Sequence, residues 1–397
     1  MSLITRREGL ILAAPAIIGL RPKLARAQMG LPAGLGDEFT PVSAPSLIEV
    51  PLGVSLGTYL GGGGGNEGSI SAHWSDVKTG FGRTPTILAA VGVNSYQQGG
   101  YDSYDYGVWA NTANGLPLDG SVSPVINCLM TNSTSTDTDY AGVIAGTYDS
   151  AIQNVFDQFK GIAPFTKMYL RINWEFNINL NGTYGVPNSG EVSNWVAAQK
   201  HWCNLMHTWG SSNGITVRTM WSPAVSYSAN ESDTFSLPVV NFFPAPDGSA
   251  VNGRYIDVIC WDEYMNTGGV SSESGLAQTT TPLSSCTIWS MGTGVAMCQT
   301  YNANFGIPET GDGPVFDNNN AWTDGTMLAF ANYCNTFATL SPPVPIEFIS
   351  LFDVSNGGVS SQQSGSGGYP NNMAGFRSML GIGGNGSIPT IMTIPPI

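Results

Sequence analysis

The chain is short of charge, histidine and cysteine. Charged residues make up 11% of its 397 positions, with 14 basic against 28 acidic, and there are three histidines and six cysteines. So acidic a chain repels phosphate backbones and anionic headgroups, which excludes nucleic acid and membrane surfaces as partners and suits a neutral or cationic ligand. The cysteines, at 128, 203, 260, 286, 298 and 334, contain no CxxC pair; they are too sparse for a disulfide scaffold and lack metal-binding spacing. Cys128 and Cys260 fall in apolar runs as core residues, while Cys286 and Cys298 flank a short loop that export can oxidise, with no pairing fixed by spacing. His201 and His207, six apart, make no zinc site, and Asp312, Asp317 and Asp324 lack the spacing of a calcium-binding EF-hand. The run Gly61–Gly65 lacks the GK[ST] ending of a phosphate loop. No cofactor is called for.

Long hydrophobic runs are scarce too. The one at the N-terminus, Gly9–Leu20, is too short to span a bilayer; it follows Thr5-Arg6-Arg7-Glu8 and precedes Ala25-Arg26-Ala27. This is the pattern of a twin-arginine export signal cleaved before Gln28, with the Sec route as the alternative. Without residues 1–27 the net charge is −18. The expected mature protein is an exported monomer in the bacterial periplasm or beyond, free of the membrane. Its expected layout is a Pro- and Gly-rich arm over 28–48 and one domain over 49–397.

What the chain has is glycine (50), proline (25) and 42% hydrophobic residues, enough for a large core under polar, uncharged loops. Eight short apolar runs, 54–59, 86–92, 124–130, 167–173, 215–221, 255–261, 302–308 and 346–352, read as strands. Amphipathic helices over Tyr148–Lys160, Val192–Trp209 and Gly325–Phe337 separate some of them. Alternation of strand and helix predicts an α/β fold, a (β/α)8 TIM barrel. The long segments Gly61–Thr84, Asn94–Gly120, Thr131–Gly146, Asn177–Glu191, Pro223–Arg254 and Asn266–Thr300 all follow strands, so they rise as loops from the C-terminal face and wall a cleft there.

Two of the runs end in a glutamate: MYLRINWEFN with Glu175 and NANFGIPETG with Glu309. Carboxylates at two strand ends facing one cleft suit glycoside hydrolysis, in which one protonates the leaving oxygen and the other attacks the anomeric carbon or activates water. Asp262 and Glu263 are rivals; neighbours on a strand point oppositely, so at most one of them faces the cleft. Aromatic side chains stack on the apolar faces of sugars. Tyr104 and Trp109 in the loop after the second run, Trp289 and Trp322 after the sixth and seventh, and His73-Trp74 after the first are candidates for that task.

Over residues 167–310 the chain resembles clan A glycoside hydrolases, and within them family 26, which includes β-mannanases and β-glucanases. Arg171, Glu175 and Asn177 in LRINWEFN match the Arg, catalytic Glu and following Asn of that family's fourth strand. VRTMWSPA, with Trp221, resembles the fifth. YIDVICWDEY, ending in Tyr264, resembles the sixth, where an Asp and a Tyr lie near the nucleophile. FGIPETG places Glu309 at the nucleophile position of the seventh. Trp174 stands where the family usually carries His. The resemblance implies a retaining enzyme in which Glu309 attacks and Glu175 serves as acid and then base, with Arg171 and Tyr264 aiming Glu309 and an apolar wall such as Trp174 or Trp221 keeping Glu175 protonated. The expectation is hydrolysis of internal bonds in a β-linked polysaccharide such as mannan, glucan, xylan or an exopolysaccharide. A transglycosylase with the same carboxylates and a non-catalytic carbohydrate-binding barrel are the alternatives.

Overall fold

The computed structural model describes residues 46–56, 78–79, 82–93, 120–128, 130, 139–162, 165–177, 190–223, 237–262, 281–310, 324–353, 370–383 and 386–397. All of them belong to the unit Pro45–Ile397. The expected export signal, most of the N-terminal arm and most residues of the cleft loops lie outside the described residues.

Eight parallel strands close into a barrel: β2 (Leu52–Leu56), β3 (Ile87–Val93), β4 (Ser123–Cys128), β5 (Lys167–Ile172), β6 (Thr216–Trp221), β7 (Val258–Cys260), β8 (Asn304–Thr310) and β9 (Ile346–Asp353), with β9 pairing back onto β2. Each strand overlaps one of the apolar runs in the sequence. Parallel barrel strands are buried on both faces, so they read as continuous apolar stretches rather than alternating ones. A short antiparallel pair, β1 (Ile48–Glu49) with β10 (Met392–Thr393), lies apart from the barrel sheet, so the last residues of the expected arm already form structure.

Inward-facing residues fill the barrel with a separate apolar cluster of Ile87, Ala89, Val125, Tyr169, Met220, Val258, Cys260 and Phe348. The outward-facing residues pack beneath the helices α1 (Tyr140–Ile144), α2 (Asp149–Ile162), α3 (Val192–Asn213), α4 (Met291–Tyr301), α5 (Asp324–Thr336) and α6 (Pro370–Met379). In α2, Ile152, Val155, Phe156 and Phe159 form the buried stripe, and in α3 Trp195, Ala198, Trp202 and Met206 recur at helical spacing. Gly214 ends α3 at φ 68°, a left-handed cap that turns the chain straight into β6. Two helices fall where the sequence predicted loop, α1 within 131–146 and α4 at the end of 266–300. Ser290 caps α4 by accepting the Thr293 N–H at 3.3 Å.

All six cysteines are free and buried, Cys286 and Cys298 included, so the disulfide that export allows is not formed. Among the described residues no helix is long and apolar enough to cross a membrane.

Candidate active site

The upper end of the barrel interior is polar. Along β5 the inward positions run Lys167, Tyr169, Arg171, and in β7 alternation carries the inward series Val258, Cys260 on to Asp262. Arg171, 1% exposed, is the hub: its two terminal nitrogens pair with Asp262 Oδ2 and Glu309 Oε1, and its Nε donates to the Ser222 hydroxyl at 2.9 Å. With a carboxylate on each side and a serine beneath, the guanidinium has no freedom to swing.

Glu175 arrives differently. The strand ends at Ile172, and Asn173 and Glu175 then adopt left-handed φ values of 44° and 51°, unusual for residues with a side chain. Three hydrogen bonds fix this turn: the Asn173 N–H donates to the Cys128 carbonyl at 2.7 Å, the Met130 N–H to Asn173 Oδ1 at 2.5 Å, and the Glu175 N–H to the Ser222 carbonyl at 2.7 Å. The acid-bearing turn is thus tied to barrel strands on both sides. Glu309 depends on an irregularity. Between Ile307 and Thr310 the β8–β9 register shifts by one residue, where Pro308 offers no N–H to the ladder. The extra residue flips the alternation, so Glu309 rather than Pro308 turns toward Arg171.

One oxygen each from Glu175, Asp262 and Glu309 lie within 4.8 Å of one another. Three carboxyls of this kind suit a divalent cation, but here the Arg171 guanidinium already pairs with two of them. Burial first, and the Glu309 charge second, push Glu175 up to about 7, against the opposing pull of Arg171 and Asp262. Burial also pushes Asp262 well above the ordinary aspartate range, opposed by Arg171 and reinforced by Glu309 and Glu175.

Of the residues expected from sequence, Arg171, Glu175 and Glu309 meet at this site. Trp174 is partly buried beside Glu175, and Asn177 is buried at the end of the same turn. Trp221 and Trp289 do not line a sugar subsite. Trp221 sits at an outward position of β6, 1% exposed, with its Nε1 donating to the Phe242 carbonyl at 3.0 Å. Its ring packs against Phe176, Trp261 and Trp289 at centroid distances of 5.4, 5.7 and 6.2 Å. Strand parity places Trp221, and ring contacts with Phe176, Trp221 and Phe242 place Trp289, in the core outside the barrel wall. Tyr104, Trp109, Tyr264 and Trp322 lie outside the described residues. Asp262, one of the two rival carboxylates in the sequence, joins the site, as the period-two series through Val258 and Cys260 requires, while Glu263 lies outside the described residues; Ser222 joins it without having been singled out.

No protein-family profile and no curated protein matches the chain in sequence. Solved structures do match in fold. The catalytic domain of a family 26 endo-β-1,4-mannanase from Bacillus sp. JAMB-750 is similar with a TM-score of 0.51 at 13% identity, over 86% of this chain and 91% of that one. The protein GH26C from a Muricauda species has a TM-score of 0.50 at 11% identity, over 77% and 79%. A modular endo-β-1,4-mannanase from Cellulomonas fimi matches over 77% of this chain with a TM-score of 0.47 at 12% identity, and the chain covers 65% of that longer protein. At such identities the likeness is one of fold: this chain is a (β/α)8 barrel, as those family 26 enzymes are.

Proposed function

We propose that the chain is an exported, retaining glycoside hydrolase that cuts internal bonds of a β-linked polysaccharide. The observation that carries this reading is the approach of Glu175 and Glu309, one carboxyl oxygen from each lying within 4.8 Å of the other at the C-terminal mouth of the barrel. A retaining mechanism uses carboxyls about 5–5.5 Å apart, whereas an inverting one needs roughly 6.5–9.5 Å to admit a water between them. The two groups are also electrostatically unlike. Glu309 is ion-paired with Arg171, as a nucleophile requires, while Glu175 is held up to about 7 and so keeps its proton until the pH approaches neutrality.

In the first step Glu309 Oε1 or Oε2 attacks the anomeric carbon as the bond to the leaving oxygen breaks and the Glu175 proton passes to that oxygen. In the second, Glu175 takes a proton from water as the water oxygen attacks the same carbon, which releases Glu309 and restores both groups. β-1,4-Mannan is the first polymer to test, because the Bacillus structural neighbour is an endo-β-1,4-mannanase; β-glucan, xylan and exopolysaccharide follow. The test is release of reducing ends from these polymers by the wild-type protein, Glu309→Ala and Glu175→Ala. Activity abolished in the first variant and strongly reduced in the second is the expected result. Activity that survives both substitutions overturns the assignment.

A further inference from the structure

Three carboxyl groups, not two, converge on Arg171, and the third has a feature the two-carboxyl reaction leaves unexplained. The Asp262 side chain is fully buried. Its Oδ2 pairs with Arg171, but its Oδ1 has no hydrogen-bond partner. A bare carboxylate oxygen sealed from water costs about 1–3 kcal/mol or more, and fixed carboxyls this close, with one guanidinium between them, do not all ionise together. A proton on Oδ1 removes both difficulties, since it turns the orphan acceptor into a donor, and the Asp262 and Glu175 side chains are close enough to hydrogen-bond.

We propose that Asp262 and Glu175 hold one proton in common, so that Asp262 is a positioning residue that keeps the acid loaded. The inference rests on the hydrolase reading and deepens it. The charged and titratable groups facing the pair, among the described residues, are Arg171 from β5, Glu309 from β8 and the Cys260 thiol one layer below on β7. Both members of the pair are shifted in the direction that sharing requires, each above its ordinary range, first through burial. When the pair loses its proton, the second negative charge forms beside the first and beside Glu309. That repulsion delays the loss and extends the acid's working range upward in pH.

The test is Asp262→Asn, which keeps an acceptor for Arg171 and removes the charge. The substrates are β-1,4-mannan and β-1,4-glucan oligosaccharides together with their dinitrophenyl β-glycosides, whose leaving group needs no proton. The basic limb of kcat/KM on the oligosaccharides should move down by about one pH unit, with about a tenfold loss above neutrality, while the dinitrophenyl substrates are largely spared. An unmoved limb, with both substrate classes reduced by the same factor, leaves Asp262 a purely structural partner of Arg171 and overturns the proposal. Infrared titration of the unliganded protein gives a second readout that needs no turnover. A protonated-carboxyl band that disappears near neutral pH in the wild type, and at lower pH in Asp262→Asn, supports the shared proton; a band unaffected by the substitution refutes it. A wild-type protein silent on every substrate counts against the hydrolase reading, and the infrared result still decides the proton.

Discussion

The Glu175 N–H donates to the Ser222 carbonyl oxygen at 2.7 Å, so the acid-bearing turn after β5 is pinned to the end of β6. The Ser222 hydroxyl meanwhile accepts Nε of Arg171 at 2.9 Å, and one fully buried residue therefore steadies both the acid and the guanidinium that pairs with Glu309. Ser222→Ala keeps the backbone bond and deletes the hydroxyl, leaving a buried guanidinium N–H without its acceptor. The expected cost is about 1–3 kcal/mol of folding stability, from the desolvation penalty of that group. Activity should fall through a misaimed Arg171 while the Glu175-dependent basic limb stays in place. Denaturant unfolding and the pH profile of the variant check the two halves separately.

Glu175 itself should destabilise the fold at neutral pH. Its folded pKa of about 7 lies above the 4.5 of an ordinary glutamate, so the native state binds the extra proton, and stability is lost as pH rises from 4.5 through 7. The loss is complete above 7 and amounts to roughly 3 kcal/mol. Glu175→Gln, which cannot ionise, should therefore be more stable than wild type at pH 8 and no more stable at pH 4. Chemical unfolding at the two pH values measures this, and a stabilisation of equal size at both would rule out ionisation as its source.

How much of this was legible in the sequence varies from residue to residue. The eight strands were, because burial on both faces leaves no polar alternation to obscure them. Helix α4 was not: Met291, Gly292, Thr293, Gly294, Val295, Met297 and Cys298 are all buried, so no polar stripe marks its period, and its two glycines read as loop. Glu175 and Glu309 were recognisable as strand-end carboxylates. The reason Glu309 points inward was hidden, because it depends on a register shift that cancels simple alternation. Trp221 went the other way. Its outward parity on β6 places it in the core, whereas the family resemblance suggested an apolar wall beside Glu175.

Gly306 provides a test of how tightly the barrel supports the site. A Cβ there would lie 2.8 Å from Val258 Cγ1 and 2.9 Å from Cys260 Sγ, closer than packed atoms tolerate. Both neighbours sit on β7 below Asp262, so Gly306→Ala must push that strand. Overpacking of this kind costs about 1–3 kcal/mol. A lower melting temperature accompanied by reduced kcat is expected; a variant as stable and as active as wild type would mean that β7 yields without moving Asp262.

At the opposite end of the barrel a second buried carboxylate should govern stability without touching the chemistry. Glu347, 2% exposed, accepts Lys167 Nζ and the Tyr169 hydroxyl at 2.8 Å each, Arg218 Nη2 at 2.8 Å, and the Asn304 amide. It occupies the extra position created by a register shift in β9 between Ile346 and Phe348, which turns it into the barrel beside Phe348. Burial alone would raise its pKa, but Arg218 and Lys167 outweigh burial and hold it below the ordinary glutamate value. Glu347→Gln leaves two cations and a tyrosine facing a neutral amide. Breaking a buried pair in this way costs about 3–5 kcal/mol. Because the folded pKa is depressed, the wild-type advantage is full above the ordinary glutamate pKa and fades as pH falls through the lowered value, so the two proteins should converge in acid. Thermal unfolding from pH 7 down to pH 3 measures that convergence, and kcat at a temperature where both are folded should be unchanged. A constant gap across the range would mean that lost packing, rather than lost charge, carries the effect.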